Sequence, residues 1–309
     1  MMHLGLLQTG DKVAVPALAW STTYAPLIQH GLDLILLDAD NSWCAARDAD
    51  WIMSHKSKPP KLIITCGILG NPAHGRFWHG VAKNCGAVLM DDCCESVGAV
   101  EPDGTLCGTR GLANTFSFYF SHQLSAVEGG MILTNDEDFA IACRRIRNHG
   151  WTRGTKIAQS FGDEFEFTMA GYNVRPLELH SAIARVQLRK LKDRIYERQM
   201  NDNYFCHIAD TVPIVLPKAT EERSPFCLHF EVSDRETRQC LANALRANGI
   251  DCRPPIAGSF GRQPYGARWA DQRTPVADRI HDTGMAIGCA PFPIPHLIDK
   301  AVKVMREVL

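Results

Sequence analysis

The chain has 309 residues, 45% of them hydrophobic, which is enough for a sizeable core and a length that favours about two domains. Its 33 basic and 34 acidic residues balance without a basic block, so neither nucleic acid nor an anionic membrane surface is an expected partner, whereas a small molecule or a second copy of the chain is. No apolar run reaches the roughly 18 residues of a membrane span and the opening MMHLGLLQTGDK lacks signal-peptide features, so a cytoplasmic protein is expected, its twelve cysteines free thiols.

In chain order, short apolar runs at residues 13–16, 34–37, 62–66, 88–91, 115–120 and 131–134 read as strands, separated by polar, helix-like stretches. The runs are apolar on both faces, which suits a buried, mainly parallel sheet flanked by helices. A long helix is expected over 178–200, where Leu179, Ile183, Val186, Leu191 and Ile195 recur at helical spacing behind Pro176. Residues 226–232 then read as a strand, 237–247 as a helix ended by Gly249, 253–276 as a Pro-, Gly- and Arg-rich loop, and 297–308 as a last helix. The expected organisation is a large α/β unit over 1–200 followed by a smaller α+β unit over 201–309.

Four polar segments stand out: the first two end strands, where open α/β sheets carry their sites, the third follows a helix and the fourth is a loop entering the long helix. In Met90-Asp91-Asp92-Cys93-Cys94-Glu95, two aspartates end an apolar strand, either as site carboxylates or as helix caps. Phe116-Ser117-Phe118-Tyr119-Phe120-Ser121-His122 leads through Glu128-Gly129-Gly130 into another strand. A serine beside a histidine also suggests a hydrolase, but no G-x-S-x-G elbow precedes it. Asn148-His149-Gly150-Trp151-Thr152-Arg153 and Gly171-Tyr172-Asn173-Val174-Arg175-Pro176 complete the set. The cysteines form no C-x-x-C pair, so no metal site is expected.

Together, in this order, and with the opening GDKVAVPALAWSTTYAPL, these segments resemble the DegT/DnrJ/StrS family of pyridoxal-phosphate sugar aminotransferases, from about Gly10 to the C-terminus. The resemblance implies the aspartate-aminotransferase fold (PLP fold type I). It also implies a homodimer with a shared active site and pyridoxal or pyridoxamine 5′-phosphate as cofactor. Asp92 matches the aspartate on the pyridine nitrogen, Glu95 the residue beside the phenolic oxygen, Trp20 the aromatic stacked on the ring and Ser117 a phosphate ligand, while Asn173 reaches the phosphate from the second subunit. Arg175 is the candidate for an anionic group of substrate or glutamate.

At the cofactor-lysine position stands His122, and no lysine occurs between Lys83 and Lys156. SFYFSH, EGG, HGWTR and GYNVRPLE are most similar to the family's branch of GDP-4-keto-6-deoxy-sugar 3-dehydratases. Imidazole forms no stable imine with the cofactor, so the amine form is free to act. Histidine, with an ordinary pKa of about 6.5, can serve as base near neutral pH, assisted by His149. The implied reaction removes the 3-hydroxyl of a nucleotide-linked 4-keto-6-deoxyhexose in deoxysugar biosynthesis, with glutamate restoring the amine. Two other outcomes stay open: an aminotransferase using another base, and a non-catalytic homologue that only dimerises or binds nucleotide sugar. The family also carries an N-terminal stretch with a "SGSSAN"-like phosphate loop, and residues 1–9 contain no counterpart. Without that stretch the strand at 131–134 is expected to be a sheet edge. Gln123 stands where the branch often has a second histidine.

Overall fold

The computed structural model describes residues 1–54, 58–155, 160–217 and 223–309. Among these, β1 (Lys12–Pro16), β2 (Asp33–Leu37), β3 (Leu62–Cys66), β4 (Val88–Asp92), β5 (Ala113–Ser117) and β6 (Gly130–Leu133) form one sheet in the order β2-β1-β3-β4-β5-β6. All neighbours are parallel except β6, which runs antiparallel to β5. The intervening helices are α1 (Ser21–Gln29), α2 (Ala49–Ser54), α3 (Gly75–Cys85) and α4 (Glu137–Ile146).

The central strands are apolar throughout because both faces are covered. Val13, Val15, Leu34, Leu36, Leu62 and Ile64 pack on one side with Tyr24 and Leu27 of α1. Ala14, Ile35, Leu37, Ile63 and Leu89 pack on the other with Ile52 of α2 and Trp78 of α3. Cys66 lies opposite Asp92, and Asp92 opposite Thr115, so β3 and β4 finish level and β5 runs two residues further, to Ser117. That shared end holds the candidate site.

The second layer is built by β7 (Cys227–Glu231), β8 (Cys252–Arg253) and β9 (Gly284–Gly288) in the antiparallel order β7-β9-β8, with α6 (Arg235–Ala247), α7 (Pro275–Thr283) and α8 (Pro295–Val308). Gly249 follows α6 at φ +72°, the left-handed turn expected there. Leu228, Phe230, Leu241, Leu245, Val302 and Met305 form its core together with Phe205 and Ala209.

The last two belong to α5 (Glu178–Ala209), which runs beyond the expected stop at 200. Two polar residues in its second half are buried and bonded. Arg198 donates to the carbonyls of Phe226 (3.0 Å) and Cys289 (2.5 Å), and Asn201 to those of Ala290 (3.0 Å) and Phe292 (2.8 Å). Three further differences from expectation have local causes. The strand expected over 115–120 ends at Ser117, where the backbone N–H of Tyr119 turns back onto the Ser117 hydroxyl at 3.2 Å. β9 is flanked by glycines and carries a single β-branched residue, so its sequence, GMAIG, lacks a strand signal. Residues 253–276 hold the second residue of β8, two 3-10 turns and the start of α7.

β6 is an edge strand as expected, with Met131, Ile132 and Leu133 exposed. A groove of about 1270 Å³ runs between β6, α4 and the first turns of α5. All twelve cysteines are free thiols, and no described helix is long and apolar enough to cross a membrane.

Candidate active site

β4 sends its two terminal aspartates to opposite faces, as strand pleating requires. Asp91 turns inward, accepting a hydrogen bond from the Thr65 hydroxyl at 2.5 Å, and burial raises its pKa. Asp92 turns to the strand ends. Its carboxylate accepts from the Thr23 hydroxyl at 2.8 Å, the Cys94 backbone N–H at 3.2 Å and the Thr115 hydroxyl at 3.4 Å. Helix capping is not its role, because no helix lies between β4 and β5. Thr23 sits one turn into α1, whose preceding residue is Trp20, so Trp20, 52% exposed, stands at the same end of the sheet.

Glu95 follows on the loop after β4 and accepts the Leu69 backbone N–H at 3.0 Å. Burial pushes its pKa up to about 7, and Asp92 adds to the rise, while the Leu69 N–H and the charge of Arg253 oppose it. Between its ordinary value of 4.5 and about 7, folded Glu95 therefore keeps a proton that the unfolded chain has released. Its contribution to stability falls as pH rises through that window and levels off above it. Glu95→Gln is expected to remove the slope: wild-type stability minus that of the variant, from urea titrations, should fall by about 1–3 kcal/mol between roughly pH 5 and 8. A difference independent of pH would contradict it.

His122 lies on the turn beyond β5, its backbone N–H donating to the Tyr119 carbonyl at 3.0 Å. The ring meets Tyr119 and Phe226 edge to face, at centroid distances of 5.7 and 5.1 Å. Its Nδ1 is buried without a hydrogen-bond partner. Burial lowers its pKa, and the positive charge of Arg253 lowers it further, against the pull of Asp92 and of the Cys94 and Ser117 backbone beside the ring. A neutral imidazole with an unengaged nitrogen is what a general base requires. Ser117 ends β5 two residues before the turn; its oxygen accepts from Tyr119, leaving the hydroxyl proton free to donate.

Arg253 is a residue that sequence reading missed. It stands on β8, its guanidinium 5.6 Å from the Phe226 ring centre, and its charge acts on both Glu95 and His122. In the sequence it is one of four arginines within 253–276, with nothing to single it out.

His149, Asn173 and Arg175 gather elsewhere. Asn148 pairs with Asn173 in an isolated bridge, and His149, at φ +64°, donates its backbone N–H to the Tyr172 carbonyl at 2.8 Å. Gly150 completes that turn, where any Cβ would collide with the Met169 carbonyl. Asn173 and Arg175 are exposed, and Arg175 lines the groove beside β6. Among the described residues, none of the three bonds to or stacks on His122 of the same chain. Lys156 lies outside the described residues.

The donor set suits the ring of a pyridoxal-type cofactor: a carboxylate for a protonated ring nitrogen, a second carboxyl that holds its proton near neutrality, and a buried imidazole nitrogen without a partner. For its phosphate, the same strand ends offer Ser117.

A sequence model of the DegT/DnrJ/EryC1/StrS aminotransferase family matches residues 1–306. GDP-4-keto-6-deoxy-D-mannose 3-dehydratase of Yersinia pseudotuberculosis is 37% identical over 96% of this chain and 79% of its own length. Among solved structures, E. coli GDP-4-keto-6-deoxy-D-mannose-3-dehydratase with bound hydrated PLP is similar with a TM-score of 0.90 and 32% identity, over 97% of this chain and 81% of that one. A GDP-4-keto-6-deoxymannose-3-dehydratase with a trapped PLP–glutamate geminal diamine gives 0.87 and 30% over the same shares. The architecture is that of PLP fold type I enzymes.

Proposed function

The chain belongs to the DegT/DnrJ/EryC1/StrS aminotransferase family, and on that premise we propose that it is a sugar 3-dehydratase using pyridoxamine 5′-phosphate. Its substrate is a nucleotide-linked 4-keto-6-deoxyhexose on the way to a deoxysugar, and glutamate is its amino donor. The observation that carries this reading is His122, a neutral imidazole with an unpartnered buried Nδ1 at the position of the family's lysine.

When bound, the cofactor supplies an amine for the sugar's 4-keto carbon and a ring that accepts electrons. Asp92, its own hydroxyl and N–H donors already fixing its direction, holds the proton on the ring nitrogen. Glu95, with its pKa raised to about 7, can share a proton with the phenolic oxygen beside it. Trp20 would cover the ring, and Ser117 would hold the phosphate. With the cofactor bound, His122 would be the base that takes a proton from its C4′ carbon, and Tyr119 and Phe226 pack edge to face against the imidazole and fix its direction.

Asn173 reaches the phosphate of a second copy, with His149 and Arg175 entering from the same loop. Support for a homodimer comes from the lack of any bond or ring contact between them and His122 in one chain, among the described residues, and from the exposed apolar residues beside Asn173 and Arg175, Tyr172, Val174 and Leu177. We take residues 1–200 as the cofactor-binding unit and 201–309 as the smaller one, since Phe205 and Ala209 join the C-terminal core. A cytoplasmic location and the absence of nucleic-acid or membrane partners belong to the same reading.

With His122 at the family's lysine position, an aminotransferase would have to use another base or bind the cofactor through a lysine elsewhere. Borohydride reduction of the cofactor-loaded chain, followed by peptide mass spectrometry, separates the two. The expected result is bound cofactor with no lysine adduct; a reduced adduct on any lysine would favour the aminotransferase.

A further inference from the structure

We infer that Gln123 is a positioning residue that ties the turn carrying His122 to the segment entering the C-terminal unit. This rests on His122 being the base.

Gln123 is only 3% exposed. Its single side-chain nitrogen donates to two carbonyls from distant parts of the chain, Glu95 at 2.5 Å and Ser224 at 2.9 Å. These bonds close a ring around the site. The Glu95 carboxyl accepts the Leu69 N–H at 3.0 Å, the Leu69 carbonyl accepts the Phe226 N–H at 3.1 Å, and Ser224 also donates its N–H to Gly70 at 2.9 Å. The two backbones approach so closely here that only glycine fits at position 70: a Cβ would collide with the Ser224 carbonyl.

Phe226, two residues beyond Ser224, forms one wall of the His122 ring and carries Arg253 on its face. The tie therefore sets the position of His122 against both. It also needs an amide of this length. Asparagine is a carbon shorter, glutamate cannot donate, and methionine fills the space without donating. The other end of the amide, Oε1, is buried without a partner. That costs stability, so packing alone does not account for the residue.

Without the tie the turn can swing away from Phe226, admitting water to the imidazole. The charged groups facing that ring are Arg253 from β8 and Asp92 from β4. Greater distance from Arg253 together with better solvation would both raise the His122 pKa.

Gln123→Met in the full chain tests this. Turnover with GDP-4-keto-6-deoxymannose should show kcat lowered by about 10–100-fold with KM for the sugar within about twofold, the loss expected of a misplaced group. The acid limb of the kcat–pH profile should move to higher pH. Nitrogen-15 NMR of His122 in the cofactor-free chain should show the same rise, and Gln123→His, which restores one donor, should recover part of both. Unchanged kcat and an unchanged His122 titration would overturn the inference, as would a loss of thermal stability with neither the limb nor the titration moved. If the wild-type chain shows no turnover, the dehydratase reading fails, and the His122 titration alone decides on Gln123.

Discussion

Replacing His122 with asparagine is expected to lower kcat by about 10²–10⁴-fold, the range lost with a general base. Binding of the cofactor should survive, because Asp92, Glu95 and Ser117 take their hydrogen bonds from Thr23, Thr115, Leu69 and Tyr119 rather than from His122. A thermal-shift titration reads this separately: saturating pyridoxamine phosphate, at roughly a hundredfold excess over its dissociation constant, stabilises either protein by about 2.7 kcal/mol. In the wild type, the acid limb of the profile should lie below the ordinary histidine value of 6.5, since burial and Arg253 both disfavour the imidazolium. A variant within a few-fold of wild type would move the base to another residue.

Mixing two inactive variants should restore activity. His122→Asn removes the base, and Asn173→Asp sets a carboxylate against the phosphate that the asparagine is proposed to hold across the subunit boundary. In a mixed dimer, the chain that keeps His122 receives an intact Asn173 from its partner, so one of its two sites is whole. Random reassociation makes half the dimers mixed, and roughly a quarter of wild-type activity should return. Activity no greater than the sum of the two parents would put His122 and Asn173 to work within one chain.

Much of this site could be read without coordinates because its residues end strands. Asp92, Ser117 and His122 each close or follow an apolar run, and strand ends of a parallel sheet converge. The runs themselves were legible because β1, β2 and β3 are apolar on both faces. What escaped notice depends on long-range partners. The last apolar position of the helical spacing is Ile195, and beyond it α5 is held by Arg198 and Asn201 bonding the carbonyls of Phe226, Cys289, Ala290 and Phe292. Arg253 acts on Glu95 and His122 from a two-residue strand in a segment that reads as loop. Gln123 stood out only as a departure from the family, and its two acceptors lie 28 and 101 residues away. His149 was expected beside His122, and Asn173 and Arg175 were read from a separate segment; their pairing through Asn148 and Tyr172 is long-range, and periodicity carries no information on whether they serve their own chain or a partner.

The fate of the oxygen on sugar carbon 3 tests the central claim most directly. Purified chain is incubated with GDP-4-keto-6-deoxymannose, pyridoxal phosphate and glutamate, and the products are resolved by mass spectrometry and NMR. The predicted sugar is lighter by one oxygen atom, keeps its 4-keto group and has a methylene at carbon 3, with 2-oxoglutarate and ammonia formed in equal amount. A sugar that retains the 3-hydroxyl and gains an amine at carbon 4, or one recovered unchanged, would contradict the assignment of His122 as the base of a dehydratase.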